Sequence, residues 1–526
     1  MKKFTKIFLT MILLLQFAYA SDADRVVKIG LYYGGNALPE PQLQNFVGEG
    51  YEFGYFDSDN EFESIYSVEN IKLLMKVDKS YNIAVEELYD DIEEAEDDIA
   101  TLKKTGKVVF PAYIDGKIQI RIGNYASVDE AEEDIEVVEK KAKKLEFKVV
   151  KPDSNTISVT DTDSKEILFE YTKDEHNLGI MPIAGKKETA QTWFKGLKYY
   201  GGFEYILNGS NISVINNVEL CDYIKGVTPY EISPSWPVEA QKAQALCAKN
   251  YTLRSLNRHA SSGFSLCNTT HCQVYKGTSN ATATSDKAVE AVIDKGIYYN
   301  GQLAETYYYS SNGGASENSE NVWTSAIPYL VGVEDEFEND SIPGWSYESK
   351  VTLKDLQSLL TSKGYKIGTL KSVSTELTEM GNMYKVTFTD TSGKEVSVSK
   401  DAARSLFSKY VRSMRFNIYP EGGATEIKII AIGDKKKEIK SSNYVISEDG
   451  DKTKIKDIKK ASILTSKGIK KINNTTTTGN SDTYIIKGTG YGHNVGMSQW
   501  GAKIMADEGY EYDEILKYYF TGVDIE

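Results

Sequence analysis

The sequence contains few cysteines, histidines and prolines, with 4, 4 and 11 of them in 526 residues. Four cysteines are too few for a disulfide framework, and a chain of this length can bury full-sized cores without one. With 40% apolar and 26% charged residues, the composition is that of an ordinary globular protein. At ~150 residues per domain, the length predicts about three domains.

Positive charge is also scarce, because 61 lysines and arginines face 76 aspartates and glutamates, for a net charge of −15. Nucleic-acid binding depends on basic side chains that displace phosphate counterions. The balance therefore argues against a nucleic-acid partner, and it leaves a neutral sugar polymer open.

Long hydrophobic runs are lacking beyond the first twenty residues. MKKFTKIFLTMILLLQFAYA has three lysines, a short apolar run and a small-x-small end at Ala18-Tyr19-Ala20, the pattern of a signal peptide. Its cleavage would remove three lysines and change the net charge from −15 to −18. The run is shorter than the ~20 residues of a spanning helix, although an uncleaved N-terminal anchor stays open. We expect an exported protein, secreted or associated with the cell wall.

The N-terminal half predicts a small split-βαβ domain over residues 71–152. A region of strands at 21–70 precedes it, and packing of this region on the larger C-terminal domain is one option. Strands are predicted at Ile71–Val77 and Val108–Tyr113, with an acidic helix at Ile83–Lys104 between them. A third strand with alternating isoleucines, a helix introduced by a Ser127–Glu130 capping box and a strand at Phe147–Val150 complete the order β-α-β-β-α-β.

Within that domain, IQIRIGNYASVDEAEEDIEVVEKK resembles the sporulation-related repeat, or SPOR domain. The resemblance implies binding to peptidoglycan glycan strands that lack peptide stems. A small adaptor domain of unrelated function is the alternative.

Residues 160–526 predict one large, mostly β domain, so the fold class is α+β. Its strongest helix signal lies at Pro237–Leu256, where Ser235 can cap the helix and Pro237 suits the first turn. Cys247 shares a face with alanines and is predicted to be a buried core cysteine. Glycine-rich stretches at Gly313-Gly314 and Gly488–Gly492 indicate loops.

One acid, Glu231, stands among Tyr230, Ile232 and Trp236, just before the predicted helix. Burial against these side chains would disfavour the charged form and raise the pKa of the carboxyl, so that it could donate a proton near neutral pH. From the residues alone, an exposed glutamate on a turn is the more common outcome, and both interpretations stay open.

Four separated stretches resemble, in order, the stage II sporulation protein D and amidase-enhancer (SpoIID/LytB) family. Together they extend over about 205–526, and their number and order make the resemblance specific. They are YIKGVTPYEISPSWPVEAQKAQALCAKNYTL from Tyr223, CNTTHCQVYKG from Cys267, SSNGGASENSENVWTSAIPYLVGVED from Ser310 and GTGYGHNVGMSQWGA from Gly488.

This resemblance implies a lytic transglycosylase that cleaves the β-1,4 bond between N-acetylmuramic acid and N-acetylglucosamine, in sporulation or cell-wall turnover. The acid of the family's P-x-E motif falls on Glu231, which would serve as general acid and base. Two other functions stay open: an amidase enhancer that stimulates a cell-wall amidase without cleaving glycan, and a glycan-binding wall protein.

Half of the cysteines and half of the histidines lie within fourteen residues, at His259, Cys267, His271 and Cys272. Thiolates and imidazoles are good Zn²⁺ ligands, and the resemblance favours Cys267, Cys272 and His259 around a structural zinc. His271 adjoins Cys272, so we assign it to substrate binding. A Cys267–Cys272 disulfide and two free thiols are the alternatives.

The remaining two stretches supply the other candidate substrate contacts. Hydroxyls, an amide and flexible backbone in the serine–glycine loop suit the hydroxyl and acetamido groups of sugars. In the glycine–histidine loop, His493 and Gln499 are the candidates, and Asn494 stands where the family usually has glycine, a mild change because asparagine tolerates the left-handed conformation. The loop residues are Ser310, Ser311, Asn312, Gly313 and Gly314.

Overall fold

The computed structural model describes residues 22–186, 188–421 and 481–526, and the backbone of seven short strands between 422 and 480. The predicted signal peptide at 1–20 lies outside the described residues. In the part of the chain that is described, no helix is long and apolar enough to cross a membrane.

The fold is mixed α+β and rich in strands, which form several separate sheets. The helices are α1 (Ile92–Lys103), α2 (Val128–Lys141), α3 (Leu220–Glu231), α4 (Val238–Arg254), α5 (Ala283–Glu290), α6 (Ser319–Val322), α7 (Leu353–Ser362), α8 (Asp401–Leu406), α9 (Gln499–Asp507) and α10 (Tyr512–Tyr519).

The chain forms two compact units. Unit 1 comprises 22–234 and 252–294, and unit 2 comprises 235–251 and 295–526. The strands of unit 1 are β1 (Val26–Tyr32), β2 (Gln42–Val47), β3 (Tyr51–Phe56), β4 (Phe62–Val68), β5 (Lys72–Val77), β6 (Tyr81–Val85), β7 (Val109–Ile114), β8 (Lys117–Tyr125), β9 (Phe147–Val150), β10 (Thr156–Asp161), β11 (Ile167–Thr172), β12 (Leu178–Pro182), β13 (Gln191–Phe194), β14 (Leu197–Tyr199), β15 (Gly202–Asn208), β16 (Asn211–Glu219) and β17 (Leu266–Cys267).

Two large sheets organise unit 1. The seven-stranded sheet has the order β17-β1-β16-β15-β12-β3-β4, and the ten-stranded sheet the order β14-β13-β2-β5-β10-β11-β7-β8-β6-β9. Strand β17 at the edge of the first sheet pairs in parallel with β1. Since β17 contains Cys267, this pairing fixes one end of the cysteine–histidine segment.

The split β-α-β-β-α-β order is present, but its first strand differs from the prediction. Strand β6 opens the motif where the sequence predicted the start of the Ile83–Lys104 helix, because Ile83 and Val85 alternate toward the core. Helix α1 begins later, after Asp91 caps it by accepting from the Glu94 N–H at 3.0 Å. Strand β5, predicted as the first strand, pairs instead with β2 and β10.

The remaining elements of that segment agree with the prediction. Strands β7, β8 and β9 and helix α2 fall where they were expected, and Ser127 caps α2 by accepting from the Glu130 N–H at 3.2 Å. Strand β7 also pairs in parallel with β11. The predicted boundary near residue 152 therefore falls inside one continuous ten-stranded sheet.

Unit 2 contains smaller sheets. Their orders are β19-β18-β35, β20-β34, β21-β33-β25 and β24-β23-β22-β32, with three further two-stranded pairs. The strands are β18 (Ile297–Tyr299), β19 (Gln302–Leu303), β20 (Tyr308–Tyr309), β21 (Ser346–Thr352), β22 (Leu370–Leu377), β23 (Met383–Asp390), β24 (Glu395–Ser399), β25 (Phe416–Pro420), β26 (Ile427–Ala431), β27 (Lys435–Ile439), β28 (Tyr444–Ile446), β29 (Lys452–Lys454), β30 (Ser462–Thr465), β31 (Gly468–Lys471), β32 (Thr477–Gly479), β33 (Thr483–Thr489), β34 (Met497–Ser498) and β35 (Asp524–Ile525).

Helix α4 confirms the helix predicted at Pro237–Leu256 to within two residues at its end. Ala240, Ala243 and Cys247 are buried, as their common face predicted. The Cys247 Sγ lies 3.9 Å from the Sδ of Met497, so this cysteine is a packing residue.

Candidate functional site

Glu231 is the last residue of helix α3, and its side chain is half-buried. Ile232 turns to extended backbone while its N–H still donates to the carbonyl of Thr228 at 3.0 Å. Pro229 lies in the last turn, where its missing N–H costs a single helical hydrogen bond. The carboxylate therefore stands at the end of a helix that the sequence did not predict.

Helix α3 is fixed by an apolar side and by one close approach. Tyr223, Ile224 and Val227 are fully buried. A Cβ atom at Gly226 would lie 2.4 Å from the ring of Tyr275, so glycine allows the helix to contact the segment that follows the cysteines. The end of α3 is thus held against that segment.

A backbone N–H orients the Glu231 carboxylate. The N–H of Val274 donates to Glu231 Oε1 at 2.9 Å. The preceding residue, Gln273, is buried and donates to the hydroxyls of Tyr223 at 3.2 Å and Thr252 at 2.9 Å. The following residue, Tyr275, is buried and donates its hydroxyl to Asn216 at 2.8 Å. Because both neighbours of Val274 are anchored, the N–H that faces Glu231 has a defined position.

The two cysteines and two histidines predicted near this segment meet in one cluster. The Cys272 Sγ lies 3.4 Å from His259 Nε2 and 3.6 Å from His271 Nδ1, and the Cys267 Sγ lies 3.7 Å from His271 Nδ1. All four ligand atoms lie within 4.8 Å of one another. A tetrahedral zinc with ordinary bond lengths separates sulfur and nitrogen ligands by about 3.6 Å. The cluster could therefore hold a metal ion.

The surroundings of the cluster preset its geometry. The ring of His259 stacks on Phe264 with centroids 4.9 Å apart. Phe264 fits because Gly30 on β1 has no side chain, since a Cβ atom there would lie 2.6 Å from the phenyl ring. Cys267 is paired to the same residue of β1. The sheet edge therefore positions one thiol and one imidazole.

His271 lies in the cluster, although the sequence assigned it to substrate binding. A turn makes this possible, because the Cys272 N–H donates to the Thr269 carbonyl at 3.0 Å. The structure thus adds His271 as a fourth candidate ligand beside Cys267, Cys272 and His259. All four cysteines of the chain are free thiols in the structure, so no Cys267–Cys272 disulfide is present.

The two thiols differ in acidity. Burial opposes ionisation of Cys267, but hydrogen bonds from the Thr269 hydroxyl and N–H and from His271 lower the pKa of its thiol. Burial raises the pKa of the Cys272 thiol. The hydrogen bonds around Cys267 therefore favour its thiolate, the form that binds a cation.

The serine–glycine loop lies in unit 2, and its polar groups are held by Glu338. The Ser311 hydroxyl and the N–H groups of Asn312 and Gly313 donate to the Glu338 carboxylate at 2.6–2.9 Å. The Asn312 amide donates to Asp335 at 2.6 Å. Ser311 and Asn312 are almost fully buried, so their side chains stabilise the loop from within.

Glu338 and Asp335 were missed by the sequence analysis. Burial raises the pKa of both carboxyls, and the Asp335 charge adds to the effect on Glu338. Nothing in the pattern of acids after Val333 distinguishes them from exposed ones. One signal could have indicated them: the N–H and hydroxyl groups of a buried polar loop need hydrogen-bond acceptors.

His493 is enclosed by aromatic rings of unit 2. The centroids of Tyr309 and Trp323 lie 5.1 and 5.2 Å from its ring. Burial and then the positive charge of Arg404 lower the pKa of His493 to about 4. Its Nδ1 accepts from the Val495 N–H at 3.2 Å, so the imidazole is neutral and fixed near pH 7.

The other two residues of the glycine–histidine loop also make internal contacts. Asn494 adopts the left-handed conformation, with φ of 65°, which confirms the tolerance that the sequence predicted. Gln499 is 8% exposed, and its amide donates to Gln244 of α4 at 3.2 Å.

The candidate residues are divided between the two units. Glu231 and the cysteine–histidine cluster belong to unit 1, and the two glycine-containing loops belong to unit 2.

Comparison with known proteins adds relatives to this geometry. A family profile described as "Stage II sporulation protein" matches residues 208–299, the range that contains Glu231 and the cysteine–histidine cluster. An uncharacterized protein of Brachyspira hyodysenteriae is 31% identical over 331 residues, which make up 63% of this chain and 73% of that protein. The amidase enhancer of Bacillus subtilis is 33% identical over 57% of this chain and 40% of its own length. Stage II sporulation protein D of Bacillus subtilis is 27% identical over 59% of this chain and 75% of its own length.

Proposed function

Because the chain belongs to the stage II sporulation protein D and amidase-enhancer family, we propose that it is an exported lytic transglycosylase that remodels peptidoglycan in sporulation or cell-wall turnover. Its proposed substrate is the glycan strand, and its proposed location is outside the cytoplasmic membrane, secreted or associated with the cell wall.

Glu231 acts in this proposal first as general acid and then as general base. Its protonated carboxyl donates to the oxygen that links N-acetylmuramic acid to N-acetylglucosamine, while the bond from the anomeric carbon to that oxygen breaks. The carboxylate then removes the proton of the muramic acid 6-hydroxyl, whose oxygen bonds to the same carbon. No water is consumed, so one carboxylate suffices where an ordinary glycosidase uses two.

The observation that carries the proposal is the fixed orientation of the Glu231 carboxylate. It stands at the end of α3, and the Val274 N–H donates to its Oε1 at 2.9 Å. A proton donor acts efficiently only when it is presented to the scissile bond in one geometry. An exposed glutamate on a mobile turn would not meet this requirement.

We further propose that the cysteine–histidine cluster holds a structural zinc ion. Two thiols and two imidazoles suit zinc, and four protein ligands would close the site against a catalytic water. Bound zinc would supply a cross-link between the Cys267 strand and the segment that leads to Val274. In this proposal His271 binds the metal, and Ser310, Gly314 and His493, which are partly exposed, are the candidate sugar-binding residues of unit 2.

The SPOR-like segment at 71–152 is proposed to add affinity for glycan that lacks peptide stems. Its strands β9, β6, β8 and β7 lie in the spatial order 4-1-3-2 of a split βαβ unit. Helices α1 and α2 pack on one face of these strands around Ile83, Ile120 and Val138. The glycan-binding function proposed for the segment rests on its resemblance to the SPOR domain.

A second candidate function is enhancement of a cell-wall amidase without glycan cleavage. The observation in its favour is the 33% identity to the amidase enhancer of Bacillus subtilis. A glycan-binding wall protein without either activity is the remaining alternative. The presence of an oriented glutamate at 231 favours the enzyme.

The test is to incubate the purified mature chain with denuded glycan strands, with and without an amidase, and to identify the products by mass spectrometry. We expect anhydro-sugars without amidase, and their loss by at least about 100-fold in Glu231→Gln, the scale of general acid–base catalysis. Glu175→Gln, an exposed glutamate of unit 1, is the matched control and should retain full activity. Faster peptide release without any anhydro product would establish the enhancer instead.

A further inference from the structure

A row of four side chains crosses the end of the ten-stranded sheet in unit 1. The strand register places Lys198 of β14 opposite Trp193 of β13, Trp193 opposite Gln44 of β2, and Gln44 opposite Lys72 of β5. Residues that lie opposite each other on neighbouring strands have their side chains on the same face of the sheet. The row therefore presents, in order, the ammonium group of Lys198, the indole of Trp193, the amide of Gln44 and the ammonium group of Lys72.

Two aromatic rings of this face remain open to solvent. Trp193 is 39% exposed and Phe46 is 47% exposed, and their centroids lie 5.7 Å apart. The Lys198 Nζ lies 3.4 Å from the centre of the Phe46 ring, which holds the ammonium group beside the indole. Adjacent exposed aromatic rings rimmed by polar side chains are the type of surface that binds ligands.

Trp193 forms one wall of a cleft of about 330 Å³ in unit 1. Gln44, Lys72 and Thr162 line it, together with the Lys195-Gly196 turn that connects β13 to β14. Both turn residues have positive φ, 51° and 82°, the conformation of a tight hairpin turn. A tight hairpin turn therefore forms one side of the cleft.

We propose that this face, formed by Phe46, Trp193, Gln44, Lys72, Lys195 and Lys198, is a second binding site for an N-acetylated, carboxylate-bearing glycan. The inference rests on the proposed function for the identity of the glycan. The indole stacks on the apolar face of a pyranose ring, the Gln44 amide bonds to an acetamido group, and the lysines attract carboxylates.

Size and charge both favour this occupant. The cleft is at the lower end of the volume range of small-molecule pockets, a size that suits a sugar unit. Lys72 and Lys195 line the cleft, and Lys198 adjoins it beside Trp193. The lining also contains Glu40, and Lys72 pairs with Asp163 at 3.2 Å, so Lys195 and Lys198 supply the local positive charge in a chain whose net charge is −15. Such local positive charge in an acidic protein complements the muramic acid carboxylates of a glycan strand.

The experiment measures affinity of the full mature chain for purified peptide-free peptidoglycan glycan, in a Glu231→Gln background so that no ligand is consumed. Trp193→Ala should weaken binding about tenfold, the scale of a tryptophan at a binding centre, and Trp193→Phe should restore part of it. Tyr384→Ala, an aromatic residue of unit 2 with 37% exposure, is the matched control and should bind normally.

Lys198→Glu gives a second readout, because it should weaken binding of peptidoglycan glycan more than binding of uncharged chitohexaose. The inference is overturned if Trp193→Ala, with an unchanged melting temperature, binds glycan as tightly as the control variant. It is also overturned if the variant loses only affinity for an amidase. A chain that shows Trp193-dependent glycan binding but no cleavage with Glu231 intact would keep this inference and reject the proposed enzyme.

Discussion

His493 and Asn494 are neighbours in the chain, and the fold uses them in different ways. Asn494 takes a left-handed conformation, and its amide donates to the Asn312 carbonyl at 2.9 Å, which joins the two glycine-containing loops of unit 2. His493 is enclosed by Tyr309 and Trp323, which keeps its imidazole neutral. The conformation of Asn494 was predictable from its residue type, whereas the environment of His493 depends on residues far away in sequence.

The low pKa of His493 predicts a pH-dependent stability. The unfolded histidine binds a proton below its ordinary pKa near 6.5, whereas the folded one does so only near pH 4. The free energy of unfolding therefore falls as the pH is lowered from 6.5 to 4, by about 3 kcal/mol at most. Urea unfolding of wild type and His493→Gln should show a difference that shrinks across this range.

The raised pKa values of Asp335 and Glu338 act in the opposite direction, because a carboxyl that holds its proton more tightly when folded adds stability at low pH. Since both proteins contain them, the difference between wild type and variant isolates His493. Parallel pH profiles of the two proteins would contradict this assignment.

Among the elements, the segment from Cys267 to Tyr275 links the candidate metal cluster to the candidate proton donor. Its first residue, Cys267, is paired to β1, its middle supplies His271 and Cys272 to the cluster, and Val274 donates to Glu231. Only one residue, Gln273, separates Cys272 from Val274. We therefore expect any loosening of the cluster to reach the orientation of the carboxylate.

Cys272→Ser should lower the zinc content from about one per chain and reduce glycan cleavage, since one thiol ligand and its link to Val274 are lost. Elemental analysis of protein purified without chelator gives the first readout, and the rate of anhydro-sugar release gives the second. Cys221→Ser replaces a half-buried thiol outside the cluster and should change neither. Wild-type protein without bound zinc would remove the basis of this prediction.

At the scale of the whole molecule, local patterns were predictable and long-range arrangements were not. The α2 capping box, the α4 helix and the left-handed Asn494 all follow from neighbouring residues. Helix α3 was missed because Pro229 and β-branched residues near its end favour a loop. The continuation of the split βαβ strands into a ten-stranded sheet depends on β7–β11 pairing across more than fifty residues.

The candidate site shows the same division. The cysteines and histidines were predicted as a group because they lie close together in sequence, but the place of His271 among them required the turn at Thr269. Glu338 holds the serine–glycine loop from 25 residues away. No local pattern marks such an acceptor, since its role is defined by the buried donors that it satisfies.

The central claim, cleavage of glycan by Glu231 through an internal hydroxyl, is tested most directly by digestion of denuded glycan in ¹⁸O-labelled water. Mass spectrometry of the products should show 1,6-anhydro ends that carry no ¹⁸O, and these products should be absent with Glu231→Gln. Products that carry ¹⁸O at a reducing end, or equal yields from the variant, would contradict the account.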